Sequence, residues 1–308
     1  MACGEAIVPT AEQGKGPSVW LDMDQKALDD AYDQEIYAPN RAQIVERRIA
    51  NSERVRVLLG QPENYAYGPT DIERLDVFRT DKPNAPVNVF IHGGAWRRNR
   101  AADYAVQAEL LVRAGAHYVI LDFINVDQAG GSLFPMAEQV RRGLAWVYRN
   151  APKFGGDPNR LYLSAHSSGS HFGACMLTVD WTSEGLPRTI FKGALLCSGI
   201  YDLKPARLSK RSQYVKFTDE MEHALSAQRH IDKLETPVIL AHGTYETPEF
   251  QRQTRDFHAA LQKAGKQSEL LVGKGYNHFE LLETISNPYG LTGRALLKQM
   301  QLTSPFTG

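Results

Sequence analysis

Cysteine is scarce in this chain, and charge of neither sign is in excess. The three cysteines, Cys3, Cys175 and Cys197, cannot all pair, and none has a CxxC or Cys/His spacing. That excludes a disulfide framework and a thiolate zinc site. Cys175 and Cys197 lie in apolar stretches (FGACML and GALLCSG), where a free cysteine acts as a small buried hydrophobe. A reducing, cytoplasmic setting is expected. Lys and Arg number 35, as do Asp and Glu, so nothing recruits nucleic acid or an anionic membrane, which attract a clustered positive excess. No stretch approaches the roughly 18 consecutive apolar residues of a membrane-spanning helix. The first residues, MACGEAIVPT, lack the basic region and apolar run of a secretory signal, and a soluble protein is expected. No His/Asp/Glu cluster has metal-ligand spacing, so neither a catalytic metal nor another cofactor is predicted. Repeats and low-complexity tracts are absent.

What is present is a rhythm of strands and helices. Residues 1–18 read as a loose arm, and charged, helix-compatible sequence from Trp20 to about Ile49 precedes the first strand signal, as cap helices lying over the domain do. Ile72–Arg79 alternates apolar and polar residues, as an edge strand does. Val87–Ile91, Tyr118–Phe123, Leu161–Ala165, Ile190–Cys197, Val238–Ala241 and Glu269–Val272 are short and β-rich. Helical patterns fill the gaps at Tyr104–Ala114, from Pro135 (Met136, Val140, Leu144, Val147, Tyr148), at Glu249–Ala264 and from Leu291. Parallel neighbours require crossover helices. The alternation therefore predicts one α/β domain over 1–308: a doubly wound, mostly parallel sheet with a small N-terminal helical cap over 1–50. The polar segment 204–233 interrupts the rhythm, either as a lid or as a solvated helical connection. Beyond the sheet edges, through which a homodimer can form, nothing predicts a protein interface.

Chemistry gathers where strands end. Leu161–Ala165 runs through His166, Ser167, Ser168 and Gly169 into a helix, a strand–turn–helix that holds a serine hydroxyl proud of a sheet edge. Ala165 replaces the first glycine of the usual G-x-S-x-G, a difference of one methyl. After Val87–Ile91 comes His92-Gly93-Gly94-Ala95-Trp96, whose glycines let backbone N–H groups face a ligand. Gly93, Gly94 and Ala95, with the N–H of Ser168, are the candidate oxyanion donors; which of the loop amides act is left open. His92 itself reads as a brace for the loop. Downstream, Glu246 follows the strand PVILAHG, and His278 follows the last short strand. Ser167, Glu246 and His278 stand in the order nucleophile, acid, base that α/β hydrolases use. Serine needs such a base to remove its proton.

HGGAW, AHSSG, GTYETPEFQRQ and GYNHF together resemble the kynurenine formamidase-like esterases, relatives of the hormone-sensitive-lipase group, from about Ile72 to Glu283. The resemblance implies an α/β-hydrolase fold, a triad of Ser167, Glu246 and His278, and an oxyanion hole at the HGG loop plus Ser168. Many relatives carry Asp where this chain has Glu246; the carboxylate role survives the longer arm.

Competing residues remain. Asp122 and Asp127 precede the nucleophile, against the fold's order, while Asp202 is an alternative orienter of the histidine or a loop cap. His166, His171 and His242 read as packing or structural residues. Trp96, Phe123, Trp181, Tyr201 and Phe279 are candidate substrate-lining aromatics. The expected activity is hydrolysis of small carboxylic esters through an acyl-enzyme. The alternative is an arylformamidase cleaving N-formylkynurenine with the same residues. A non-catalytic ligand receptor on a hydrolase scaffold ranks behind both, since all three triad positions are filled.

Overall fold

The computed structural model describes residues 16–306; the expected loose arm lies almost wholly outside them, as does Cys3. Three helices come first: α1 (Gln25–Ala31), α2 (Gln34–Tyr37) and α3 (Arg41–Leu59). Asp24 and Asp33 start the first two by accepting from backbone N–H groups of the first turn, the usual satisfaction of orphaned donors. In α3 the buried residues are Ile44, Arg48, Ser52 and Val55. Steps of four, four and three mark one helical face, and that face turns an arginine inward.

The sheet is built from β1 (Glu63–Ala66), β2 (Arg74–Phe78), β3 (Ala85–Ile91), β4 (His117–Leu121), β5 (Gly156–His166), β6 (Gly193–Cys197), β7 (Val238–Gly243) and β8 (Ser268–Gly273). Between and after them run α4 (Ala108–Arg113), α5 (Phe134–Asn150), α6 (Ser168–Met176), α7 (Leu203–Leu208), α8 (Asp219–Ala224), α9 (Pro248–Lys263), α10 (His278–Glu283) and α11 (Leu291–Gln299). Strand order is β1-β2-β4-β3-β5-β6-β7-β8. β2 is antiparallel to both its neighbours, and every later pairing is parallel. This is the α/β-hydrolase fold.

Successive strand residues serve opposite cores. Val87, Val89 and Ile91 of β3 join Leu163 of β5, Leu196 of β6 and the α5 stripe Met136, Val140, Leu144 and Val147. Phe90, Tyr118, Ile120, Leu195 and Ile239 face the other way, against Leu111 of α4, Leu281 of α10 and Leu296 of α11. Helices on both faces leave the central strands no polar side, which is why they read as apolar runs.

Three sequence expectations are corrected. Ile72–Arg79 supplies an inner strand, because the short polar strand β1 (ENYA) covers it as the true edge. The Tyr104–Ala114 helix is a 3₁₀ segment, Ala101–Gln107, leading into α4. The strand at Ile190–Cys197 starts only at Gly193. The segment after β6 folds into α7, α8 and short 3₁₀ turns and docks on the N-terminal helices: Gln25 Nε2 donates to the Leu208 carbonyl at 2.9 Å, and Lys210 pairs with Asp33.

Candidate active site

Ser167 sits between β5 and α6 with φ 57° and ψ −126°, a backbone state that costs a non-glycine residue on the order of 1–3 kcal/mol. Its surroundings hold it there. Ser167 N–H donates to the Cys197 carbonyl at 2.9 Å, and Ser170 Oγ donates to the same oxygen at 2.8 Å. The loop after β3 lies directly on this turn. A Cβ on Gly169 would stand 2.1 Å from the Ile91 carbonyl oxygen, and one on Gly93 would stand 2.9 Å from Ser167 Cβ. Both positions therefore demand glycine, and the elbow and the HGG loop are one packed unit. Ser168 Oγ ties them further by accepting the Trp96 N–H at 3.2 Å.

Glu246 follows β7 and is 1% exposed. Its Oε1 accepts from Ser198 Oγ and from Gly243 N–H, both at 2.7 Å, and its Oε2 lies 2.8 Å from His278 Nδ1. A carboxylate can only accept, so Nδ1 carries the hydrogen, and the neutral ring in this tautomer has its lone pair on Nε2. His278 opens α10, where Asn277 caps the helix by accepting from Phe279 and Glu280 N–H. Behind it, His166 Nε2 donates to the His278 carbonyl at 2.9 Å, with the rings 4.5 Å apart. Burial first, then the neighbouring His278, holds the His166 pKa well below the usual imidazole range, so it stays neutral and cannot compete for the carboxylate. Ser167 and His278 line one cavity of about 440 Å³; hydroxyl and imidazole are not in direct hydrogen bond.

Ser198 was not singled out from the sequence. It directly follows β6 with φ 53° and reaches a carboxylate 48 residues away, a contact that no local pattern announces. A hydrogen bond to a charged group contributes about 1.5–3 kcal/mol. Ser198→Ala is expected to lower kcat roughly 10-fold by loosening Glu246, measured by steady-state turnover on a chromogenic ester.

The loop itself carries positive φ at Gly94 (127°), Ala95 (57°) and Trp96 (64°). The Gly94 carbonyl accepts from Arg97 and Arg98 N–H at 3.0 Å. The N–H groups of Gly93, Gly94 and Ala95 donate to no acceptor among the described residues, and Ser168, first in α6, has no intrahelical acceptor. Trp96 N–H is occupied by Ser168, which leaves Gly93, Gly94, Ala95 and Ser168 as available donors. His92 braces the loop: Nδ1 donates to the Gly93 carbonyl at 2.9 Å, and the ring stacks on Phe123 at 4.6 Å.

The aromatic candidates separate. Phe279 lines the cavity beside Ser167. Trp96 and Phe123 line only a small void of about 10 Å³ behind the loop. Trp181 and Tyr201 are core residues, which corrects their assignment to the substrate pocket: Trp181 is 1% exposed with its indole N–H donating to the Met176 carbonyl at 3.3 Å, and Tyr201 is fully buried and stacks on Phe257 at 4.4 Å. The alternative acid fails as well. Asp202 caps α7 and pairs with Arg229 at 2.9 Å, away from His278. Asp122 accepts from Ala101 N–H at 2.8 Å, and Asp127 pairs with Arg97 at 3.0 Å. His171 is braced between the Trp96 indole and the Leu225 carbonyl, and His242 Nδ1 donates to the adjacent Gly243 carbonyl at 3.2 Å. From 204–233, Lys210, Arg211 and Tyr214 reach the cavity wall. A larger hollow of about 600 Å³, at the amino ends of β7 and β8 against α11, holds none of the candidate residues. Among the described residues no group of three or more His, Cys, Asp or Glu could hold a metal ion, and no helix is long and apolar enough to cross a membrane.

Residues 75–192 match the family model described as BD-FAE. The chain is 27% identical to a kynurenine formamidase of Danio rerio over 92% of its own length and 99% of that protein's. It is 28% identical to the isoprenylcysteine alpha-carbonyl methylesterase ICME of Arabidopsis thaliana over 70% of this chain and 56% of that one. The solved structure of esterase LipW from Mycobacterium marinum superposes with a TM-score of 0.67 at 17% identity, covering 88% of this chain and 90% of that one.

Proposed function

Because the chain is an α/β-hydrolase of the kynurenine formamidase-like, hormone-sensitive-lipase-like group, hydrolysing esters or amides, we propose that it is an arylformamidase acting through Ser167, His278 and Glu246. Ser167 Oγ attacks the formyl carbon while His278 Nε2 takes its proton. The resulting oxyanion accepts from Ser168 N–H and from amides of the Gly93–Ala95 stretch. His278 then returns the proton to the departing aryl amine, leaving formyl-Ser167. Water, deprotonated by the same imidazole, attacks the formyl carbon; the bond to Ser167 Oγ breaks, the imidazolium returns its proton to that oxygen, and formate leaves. Glu246 keeps the Nδ1–H tautomer throughout and stabilises the imidazolium that forms. The arrangement requires no cofactor.

The hydrolytic reading is carried by the 2.8 Å contact of Glu246 with His278 at the wall of the cavity that Ser167 also lines. The cavity, at about 440 Å³, falls within the roughly 300–1,000 Å³ of small-molecule sites. The choice of a formamide rests on the extent of likeness: it runs the length of the kynurenine formamidase and over 56% of the methylesterase. This reverses the order expected from sequence, where a small-ester hydrolase stood first. Carboxylester hydrolysis remains the second reading, favoured by the methylesterase likeness across 70% of the chain; both reactions pass through the same oxyanion. Comparing kcat/KM on N-formylkynurenine and p-nitrophenyl acetate decides between them. The formamide is expected to be preferred by at least about 10-fold, a difference of about 1.4 kcal/mol in transition-state binding. Ester preference by orders of magnitude returns the esterase to first place.

A further inference from the structure

Six cationic side chains line the cavity that Ser167 and His278 share: Arg41, Arg48, Arg97, Arg98, Lys210 and Arg211, against the two carboxylates Asp33 and Glu35. Both carboxylates are already engaged. Asp33 pairs with Lys210, and Glu35 lies 3.3 Å from Arg41 and 3.6 Å from Arg98. Arg97 finds Asp127 at 3.0 Å outside the cavity. Two guanidiniums are left over, and they are the two most deeply placed: Arg48 is 5% exposed and Arg211 is 8% exposed.

Neither forms an ion pair among the described residues; the Asp33 carboxylate, held by Lys210, feels the Arg211 charge only from beyond salt-bridge distance. Among the described residues Arg48 makes no hydrogen bond and no ion pair; its guanidinium lies 4.4 Å from the centre of the Tyr104 ring, and its buried Nε is unpartnered there. Arg211 donates to Tyr214 Oη at 2.6 Å and to the Tyr32 carbonyl at 3.1 Å and faces the Trp96 ring at 5.6 Å, while its buried Nε too is unpartnered. Aromatic faces hold the planes of these groups and leave N–H edges free. A buried charge without a counter-charge is strongly destabilising, and it is found where a ligand supplies the missing sign. Arg48 gets there because α3 buries the face Ile44–Arg48–Ser52–Val55. Arg211 gets there on the segment after β6.

We propose that Arg48 and Arg211 form a subsite for a carboxylate on the non-reacting end of the substrate, so that the enzyme selects anionic carbonyl substrates over neutral ones. The planar fork of arginine matches a carboxylate in two parallel hydrogen bonds. The two residues come from different segments that line one cavity, α3 and the stretch between β6 and β7, so a carboxylate held by both ties these segments together. This rests on the hydrolytic reading of Ser167 and His278, and deepens it.

The test uses matched pairs in the full chain: 3-acetoxybenzoate against phenyl acetate as substrates, benzoate against benzamide as competitors. The native protein is expected to favour 3-acetoxybenzoate in kcat/KM and to be inhibited by benzoate, not benzamide. Arg48→Met, which keeps the length of the stem, is expected to lose about 10- to 100-fold on 3-acetoxybenzoate with less than about 3-fold change on phenyl acetate. Its Tm is expected to be unchanged or higher, because an unpaired buried charge has been removed. Arg211→Lys, which retains a donor for its two oxygen partners, is expected to lose selectivity in the same direction and by less. Equal losses on both substrates with a lowered Tm mean that Arg48 is structural, and equal inhibition by benzoate and benzamide in the native protein means there is no subsite; either overturns the proposal. Labelling by a fluorophosphonate probe keeps the two readings apart. A labelled, active protein without benzoate selectivity fails only the subsite, whereas an unlabelled, inactive protein that binds benzoate through Arg48 fails only the hydrolase.

Discussion

Ser167→Ala is expected to lower kcat by about 10⁶-fold, the scale on which removal of a serine nucleophile acts when its base and acid remain. Turnover then falls to the residual about 10³–10⁴ over the uncatalysed reaction that binding and oxyanion donors supply. The same change is expected to leave stability almost untouched. Ser167 Oγ makes no hydrogen bond with another group among the described residues, and the bonds that hold the turn are made by its backbone N–H to Cys197 and by Ser170. Alanine meets the same cost at φ 57° as serine does, so the strain is common to both. Steady-state kinetics with a thermal melt on the same preparation checks both halves. A variant that keeps even one hundredth of native kcat removes Ser167 as the nucleophile, and a large drop in Tm shows that the hydroxyl holds the elbow together.

How much of this could be read before folding depends on the range of each interaction. The elbow, the HGG loop and the Glu246–His278 pair were legible because each is a short motif at the end of an apolar strand, and the strand order of the fold converts chain order into proximity. Gly93 and Gly169 explain themselves afterwards: each occupies a spot where a Cβ would strike the other loop's backbone. Distance along the chain says nothing about the direction of a side chain, and there the aromatic assignments broke down. Tyr201 follows β6 closely, yet its ring turns onto Phe257 of α9; Trp181 lies past α6, yet packs against Phe191. Arg48 shows the converse. Within the charged run VERRIAN it reads like its neighbour Arg47, and only the packing of α3 separates them: Arg47 pairs with Glu283 at the surface while Arg48 is buried over Tyr104. The short polar strand β1 carries too few residues for any alternation to register.

Glu246→Gln is expected to reduce kcat by about 10⁴-fold, the loss that follows when the buried acid of a triad becomes an amide and the imidazole is held in the wrong tautomer. The surroundings of the side chain dictate this outcome. At the Oε1 position two donors converge, Ser198 Oγ and Gly243 N–H, each at 2.7 Å. The Ser198 hydroxyl can rotate to accept instead, but a backbone N–H can only donate. The carbonyl oxygen of a glutamine is therefore fixed on Gly243, and its NH₂ is forced toward His278 Nδ1, 2.8 Å from the present Oε2. Nδ1 must then accept, the hydrogen moves to Nε2, and the imidazole faces Ser167 with a proton where a lone pair is required. Glu246→Asp keeps the charge but is one methylene shorter, so it cannot span Gly243, Ser198 and His278 together; an intermediate loss of kcat is expected. Measuring kcat for the two variants beside Asp202→Asn, expected to be near native because Asp202 serves α7 and Arg229, tests the assignment. A near-native Glu246→Gln would falsify it, for no arrangement of the amide within these contacts leaves Nε2 free to take the Ser167 proton.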